Sequence, residues 1–462
     1  MSGAKDEPAG IKKQRRRGRT MSKEIHIALA GLGTVGTAVV RLLQEERSRY
    51  REKLGVPLRL VSIFDRSYRR KETSWIDPSV KLTDSLDEFL GTPADIVVEL
   101  IGGIEPADHI ISLSLRRHRA VVTANKLLLA QSARRYFELA REHNAYLGFE
   151  AAVAGGIPIL RVLRRSLLSD QLIRLRGILN GTCNFILSEM AESGRPFQDV
   201  LKEAQQRGYA EADPTLDISG RDTTDKLAIL ALFAFGHFID PQLIPTQGIT
   251  AISPVDFSFA RKFDCAIKLL GVAERIDHDL SLRVSPFLVS EHLTLSAVSG
   301  AFNAIEVTGA RVGPILLSGK GAGGDPTAVS VVADILNAAL WAQGERRFHF
   351  QPVLNRRTSD RANGDERTPG IPSLNVKETY PYYIRFFVKD RPGIIAAVAS
   401  ILARWGINIR SVVQEPCSDP LNLPFVITVE PTLSSIMDKA AAEFRILDFN
   451  RVPPLVLPIL EP

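Results

Sequence analysis

Over the first 150 residues, short unbroken apolar runs alternate with apolar residues at helical spacing. The runs Ile25–Ala30, Leu58–Phe64, Ile96–Leu100 and Ala120–Thr123 read as buried strands. They end respectively on a glycine-rich turn, on Asp65, on Gly102-Gly103 and on Asn125-Lys126. Between them, Val35, Val39, Leu42 and Leu43 mark one helix, and Ile110–Arg117 and Ala133–His143 mark others. Strands apolar on both faces, alternating with helices, predict a parallel, doubly wound sheet of the Rossmann type over 22–150.

Beyond 150 the pattern becomes mixed. A strand is expected over Leu172–Leu179, helices over 183–192, 197–207 and 222–236, and further strands between 281 and 317. This reads as a second α/β domain over 151–324, for substrate and dimerisation. Val329, Val332, Ile335, Leu336 and Ala339 mark a helix within 325–350 that returns to the first domain. Residues 351–379 hold Asn, Arg, Thr, Ser, Asp, Gly and Pro without apolar periodicity, and are expected to be a linker. From 380 to 462 the expected order is a strand at 382–388, a helix over Pro392–Trp405, strands at 407–414 and 424–430, a helix at 433–446 and a strand at 454–460. That is βαββαβ, a ferredoxin-like unit.

Composition narrows the function classes. Of the formal net charge of +6, +5 sits on residues 1–20, where seven Lys or Arg meet only Asp6 and Glu7; +1 remains for the rest. A nucleic-acid binder should carry its charge on a folded face, so no such partner is expected. Residues 1–21 are expected to be a disordered basic tail or upstream translation from a misplaced start, with a transit or anion-binding arm as the alternative. No apolar run approaches the roughly 20 residues that span a bilayer. Cys183, Cys265 and Cys417 show neither CxxC nor zinc-ligand spacing with histidine, which suits a reducing, cytoplasmic setting.

Gly31-Leu-Gly33-Thr34-Val35-Gly36 lies between the first strand and the first helix, the context that gives GxGxxG its meaning. Gly31 allows the tight turn, Gly33 the approach of a pyrophosphate, and Gly36 close packing of helix on strand. A nicotinamide dinucleotide is expected here. Asp65 suits the ribose diol of NAD, whereas Arg66, Arg69 and Arg70 suit the 2′-phosphate of NADP unless they only solvate a loop. The expectation leans to NADP and leaves NAD open.

A dehydrogenase also needs a group that trades the hydroxyl proton. The densest charged segment of the middle region is Gly208-Tyr-Ala-Glu211-Ala-Asp213-Pro-Thr-Leu-Asp217-Ile-Ser-Gly220-Arg-Asp222-Thr-Thr-Asp225-Lys226. Asp222 and Lys226 share a helix face, which by spacing alone reads as a surface ion pair; Asn125-Lys126 alone reads as a helix cap. Cys183, in a turn of small residues without a nearby histidine, reads as a buried bystander.

Taken with Thr123-Ala-Asn125-Lys126, Glu150-Ala-Ala-Val153-Ala-Gly155-Gly156-Ile157-Pro158, Asn180-Gly-Thr-Cys-Asn184-Phe-Ile-Leu and Gly319-Lys-Gly321-Ala-Gly323, these motifs over about 22–345 resemble the homoserine dehydrogenases. The resemblance implies interconversion of L-homoserine and L-aspartate 4-semialdehyde in threonine, methionine and isoleucine biosynthesis. It implies Lys226 as the proton-exchanging lysine, Asp222 as its orienting partner and Lys126 near nicotinamide and substrate. Glu211 and Asp217, with Asp222 and Lys126, would recognise the amino acid. Gly31, Gly33, Thr34, Val35, Gly36, Arg66, Thr123, Lys126, Gly321 and Gly323 would hold the cofactor. Glu150 with the carbonyls of Val153, Gly155 and Ile157 would hold a monovalent cation such as sodium. The kinase-fused form of the family is not expected. The C-terminal unit resembles an ACT domain, which implies an amino-acid effector, threonine, near Asp390, Gly393, Ile394 and Asn408, and a homodimer or homotetramer. Two alternatives stay open from the residues: a dehydrogenase acting at an amine, and a non-catalytic cofactor and amino-acid sensor.

Overall fold

The computed structural model describes residues 24–277, 279–344, 378–415, 419 and 421–462; the expected basic tail, nearly all of the expected linker and Cys417 lie outside them. The first 150 residues fold as β1 (Ile25–Ala30), α1 (Thr34–Glu45), α2 (Arg47–Leu54), β2 (Leu58–Phe64), β3 (Lys81–Thr83), α3 (Leu86–Gly91), β4 (Ile96–Glu99), α4 (Ala107–Arg116), β5 (Ala120–Thr123), α5 (Lys126–Glu142) and β6 (Leu147–Gly148). Their six strands pair in parallel in the order β3-β2-β1-β4-β5-β6. The strand order reverses between β1 and β4, and ligands of such sheets bind in the crevice beyond that point. Helix α5 begins earlier than the apolar periodicity indicates. Asn125 caps it by accepting from the Leu128 amide at 3.2 Å, so Lys126 is its first residue.

Next come the short α6 (Ile159–Arg161), β7 (Leu172–Ile178), α7 (Gly181–Ser193), α8 (Phe197–Gln206), α9 (Thr215–Ile218), α10 (Arg221–Phe235), α11 (Pro254–Lys262), β8 (Cys265–Ile276), β9 (Asp279–Ser290), β10 (Phe302–Gly309), β11 (Gly313–Lys320) and α12 (Gly324–Ala342). Strand β8 and helix α11 are absent from the sequence reading. β8 lies in the middle of its sheet and is buried along most of its length, so it shows no alternation. Helix α12 packs back on the first sheet, sharing its buried cluster with Val39, Val98 and Val122.

The C-terminal unit is β12 (Thr379–Val388), α13 (Ile394–Arg404), β13 (Ile409–Gln414), β14 (Leu423–Leu433), α14 (Ser434–Arg445) and β15 (Leu455–Leu460), the expected βαββαβ order. Helix α13 starts two residues later than expected because Gly393, at φ +93°, turns the chain into it. The unit's sheet is not separate from its neighbour. Strand β15 pairs in parallel with β9, giving one nine-stranded sheet in the order β11-β10-β7-β8-β9-β15-β12-β14-β13. One apolar cluster joins Leu270, Val272 and Phe287 to Ile384, Phe386 and Val398.

Candidate active site

The glycine turn after β1 meets the loop after β4. Gly31 has φ +103°, and a Cβ there would stand 2.6 Å from the Leu100 carbonyl oxygen. A Cβ on Gly36 would stand 1.9 Å from the Gly31 carbonyl oxygen, whereas one on Gly33 would meet no protein atom within 4 Å. Two glycines close the turn and the third leaves an open face at the start of α1. Among the described residues no side chain caps that helix, so the first amides at Thr34, Val35 and Gly36 are available to an anion. This cradle fits a dinucleotide pyrophosphate.

Asp65 ends β2 as expected, but its carboxylate is engaged. It accepts from the Leu32 amide at 2.8 Å, from Lys71 Nζ at 2.7 Å and from Ser67 N and Oγ at 2.8 Å. Burial alone would raise this carboxyl; Lys71 and the amides outweigh it and hold it below its usual range. Arg66 is exposed, and Arg69 is paired with Asp84 at 3.0 Å. Lys71, absent from the sequence reading, was legible only as one more charge after three arginines.

A cavity of about 400 Å³ opens beyond the strand ends, lined among others by Gly102, Gly103, Asn125, Lys126, Gly155, Lys226, Gly321 and Ala322. Glu99, at the end of β4, shapes its rim. The fully buried carboxyl accepts from Ile101 N at 2.8 Å and from the Thr123 hydroxyl at 2.6 Å. The Thr123 side chain is thereby committed to Glu99. Asn125 Nδ2 donates to the Gly103 carbonyl at 2.7 Å, tying α5 to the same loop.

Lys126 from the first domain and Lys226 from the second converge on one carboxylate. Asp222, 4% exposed, bonds Lys126 through Oδ1 and accepts from Lys226 through Oδ2 at 2.7 Å. Lys226 also donates to the Leu179 carbonyl at 2.8 Å. Asn180 Nδ2 bridges Asp217 Oδ1 at 2.7 Å and Asp222 Oδ2 at 2.9 Å. Burial would push the Asp222 carboxyl up, but Lys226 and Lys126 overcome it and hold it far below the usual carboxylate range. Burial would lower Lys126, and the Asp222 charge reverses this and raises it. Asn180, which the sequence showed only as a motif letter, joins the two acids. Glu211 lies apart, exposed on the loop between α8 and α9 and not in the cavity lining. Cys183 is buried, donates to the Asp217 carbonyl at 3.2 Å, and is pushed well up by burial.

Glu150 is 4% exposed; burial, with Asp334 near it, pushes its carboxyl up to about 7. A positive charge there would relieve both causes. The Gly155 carbonyl accepts from Ser330 Oγ at 2.7 Å and the Ile157 carbonyl from Ile159 N at 2.8 Å; each retains a second lone pair. The donor set of Glu150, Val153, Gly155 and Ile157 is oxygen-rich and fits a hard monovalent cation. A Cβ on Gly155 would stand 2.5 Å from the Gly321 carbonyl oxygen, so this turn packs on the Gly321–Gly323 loop, and Gly323, φ +112°, leads into α12. In the C-terminal unit, Asp390, Gly393 and Asn408 are exposed and Ile394 is buried.

Residues 158–336 match the family model described as homoserine dehydrogenase, residues 31–150 its NAD binding domain, and residues 382–439 the ACT domain. The chain is 36% identical to the homoserine dehydrogenase of Neisseria gonorrhoeae over 93% of its own length and 97% of that protein's. It is 39% identical to that of Mycobacterium tuberculosis, covering 86% and 88%. The solved homoserine dehydrogenase of Thiobacillus denitrificans superposes with a TM-score of 0.85 at 35% identity, covering 95% and 98%. A hyperthermophilic archaeal homoserine dehydrogenase mutant solved in complex with NADPH is similar at TM-score 0.59 and 27% identity, covering 71% of this chain and 99% of that one.

Proposed function

The chain belongs to the homoserine dehydrogenase family, and from that premise we propose that its own reaction, interconversion of L-homoserine and L-aspartate 4-semialdehyde, takes place where Lys126, Asp222 and Lys226 meet. It is an oxidoreductase with a nicotinamide-binding domain. The observation that carries the site is a buried carboxylate held between two lysines from different domains, both lysines facing the cavity beyond the glycine turn. When bound, the nicotinamide supplies or takes the hydride. Lys226 stabilises the charge that builds on the reacting oxygen and exchanges its proton. Asp222 keeps both ammonium groups in place, and Lys126 holds the substrate against the dinucleotide side. Glu211 and Asp217 recognise the amino acid, Glu211 by binding its ammonium.

NADP is the favoured cofactor, with NAD as the alternative. A ribose diol would compete with Lys71 for Asp65, whereas a 2′-phosphate would find Arg66 exposed beside an acid already neutralised. A monovalent cation such as sodium at Glu150 and the Val153, Gly155 and Ile157 carbonyls holds the turn that packs on Gly321. Threonine, bound near Asp390, Gly393, Ile394 and Asn408, is the proposed feedback effector of a cytoplasmic homodimer or homotetramer serving threonine, methionine and isoleucine synthesis.

Absorbance at 340 nm, with homoserine and each nicotinamide in turn, separates this reading from an amine-acting dehydrogenase and from a sensor. Lys226→Ala is expected to lower turnover by about 10²–10⁴-fold while cofactor affinity is kept. Turnover within about tenfold of the parent would remove Lys226 from its role.

A further inference from the structure

Arg385 lies in the middle of β12, remote in sequence from the cavity, yet it is almost wholly enclosed. Its side chain and that of Asp256 are 3% and 0% exposed. Arg385 Nε donates to Asp256 Oδ1 at 3.0 Å, and Nη2 donates to Oδ2 at 3.2 Å and to the Ala251 carbonyl at 2.8 Å. The Tyr383 hydroxyl donates to Oδ1 at 2.8 Å. Asp256, third residue of α11, also accepts through Oδ2 from Ser253 N at 2.8 Å and Ser253 Oγ at 3.0 Å. Enclosing two charges costs nearly as much as their attraction returns, so the pair adds little net stability; what it fixes is geometry.

The geometry it fixes is that of residues 244–252. Ile249 N donates to the Ile218 carbonyl at 2.9 Å. A Cβ on Gly248 would stand 2.1 Å from that same oxygen, so the two backbones touch. Thr246 Oγ1 is 2.8 Å from Thr224 Oγ1. Gly220, at φ +85° before α10, would bring a Cβ to 3.1 Å from the Thr246 side chain. The turn these contacts clamp joins α9, which carries Asp217, to α10, whose second residue is Asp222. From Arg385 to Asp222 the path runs through these hydrogen bonds and close contacts and through two short stretches of chain, 249–251 and 218–222.

We infer that Arg385 is a positioning residue for the dehydrogenase reaction: by gripping Asp256 and Ala251 it seats the 244–252 segment against the α9–α10 turn, and thereby sets Asp217 and Asp222 before the two lysines. The inference rests on the reading of the pocket given above. It makes the C-terminal unit part of the substrate site's framework, whatever effector that unit binds.

The test uses the full-length protein at saturating nicotinamide, with turnover expressed per bound cofactor. Arg385→Lys keeps a charge opposite Asp256, but one ammonium cannot reproduce the planar fork that holds both carboxylate oxygens and the Ala251 carbonyl. It is expected to raise the homoserine KM about tenfold while the nicotinamide Kd stays within about twofold. Tyr383→Phe, which spares the ion pair and covers the case of a misfolded Arg385→Lys, should move KM in the same direction by a smaller factor. A role confined to stability would lower the melting temperature and the amount of cofactor bound without moving KM. A homoserine KM within about twofold of the parent in the folded variants overturns the inference. Lys226→Ala, measured alongside, keeps the two readings apart: turnover lost there with KM unmoved in Arg385→Lys sinks this inference alone, whereas turnover retained there sinks the reading of the pocket.

Discussion

Asn180 shows how much one neutral side chain can organise. Its Oδ1 accepts from Cys183 N at 2.8 Å and caps α7, while Nδ2 keeps Asp217 and Asp222 together. Asn180→Asp would keep the cap and put a third carboxylate beside two others. Homoserine kcat/KM is expected to fall at least about tenfold, with a melting temperature that changes little by comparison. Lys268 poses the opposite case, a buried amine that no acid among the described residues pairs. It donates to the Val298 carbonyl at 2.6 Å, and burial pulls it down to about 8. Its folded pKa thus lies below its unfolded one, so the native state loses the proton first. The resulting cost is complete below pH 8 and fades as the pH rises toward 10.5. Lys268→Met is expected to stabilise the protein by up to roughly 3 kcal/mol at pH 7 and to lose that advantage near pH 10.5, as read by urea unfolding at both pH values. The Val298 carbonyl would keep its bond from Asn184, at 3.2 Å.

Among the elements, the turn between β1 and α1 separates glycines that serve the fold from the one that serves the ligand. Gly36→Ala would force a Cβ against the Gly31 carbonyl and is expected to lower the melting temperature and cofactor binding together. Gly33→Ala has ordinary backbone geometry, at φ −82°, and open space before it. It should leave the melting temperature of the cofactor-free protein within about 2 °C while weakening nicotinamide binding about tenfold or more, by fluorescence titration. Helix α5 carries a related lesson. Its apolar stripe becomes regular only from Ala133, but the Asn125 cap starts it at Lys126 and delivers that lysine to the cavity.

Across the whole molecule, the second domain and the C-terminal unit are joined by a shared sheet, a shared apolar cluster and two buried ion pairs. Besides Arg385 and Asp256, Arg283 meets Glu378 at 2.9 Å, the carboxylate side chain being 2% exposed. Removing residues 378–462 would bare Phe287, Leu270 and Val272 and leave Asp256 and Arg283 without their ion-pair partners. Leaving one member of a buried pair costs about 3–5 kcal/mol. The truncated chain is therefore expected to be poorly soluble and to bind a hydrophobic dye strongly. The proposed threonine site is accordingly better probed in the intact chain: if it binds there, added threonine raises the melting temperature of the parent and Asn408→Ala reduces that rise.

Local pattern was enough for the parallel sheet, the glycine turn and the βαββαβ unit. Each rests on contacts close in sequence or on a periodicity that a single element displays. The same local information showed Asp222 and Lys226 only as neighbours on a helix. That Lys126, 96 positions from Asp222, completes the group depended on the first domain setting α5 against α10. Strand β8 and the junction of β15 with β9 were likewise beyond local reading, because a strand buried on both faces has no alternation and a pairing across 170 residues leaves no local trace. Arg385 carries the point furthest. In sequence it is one charge in an apolar strand, and only the arrival of Asp256, 129 residues away, makes it a buried partner instead of a surface charge.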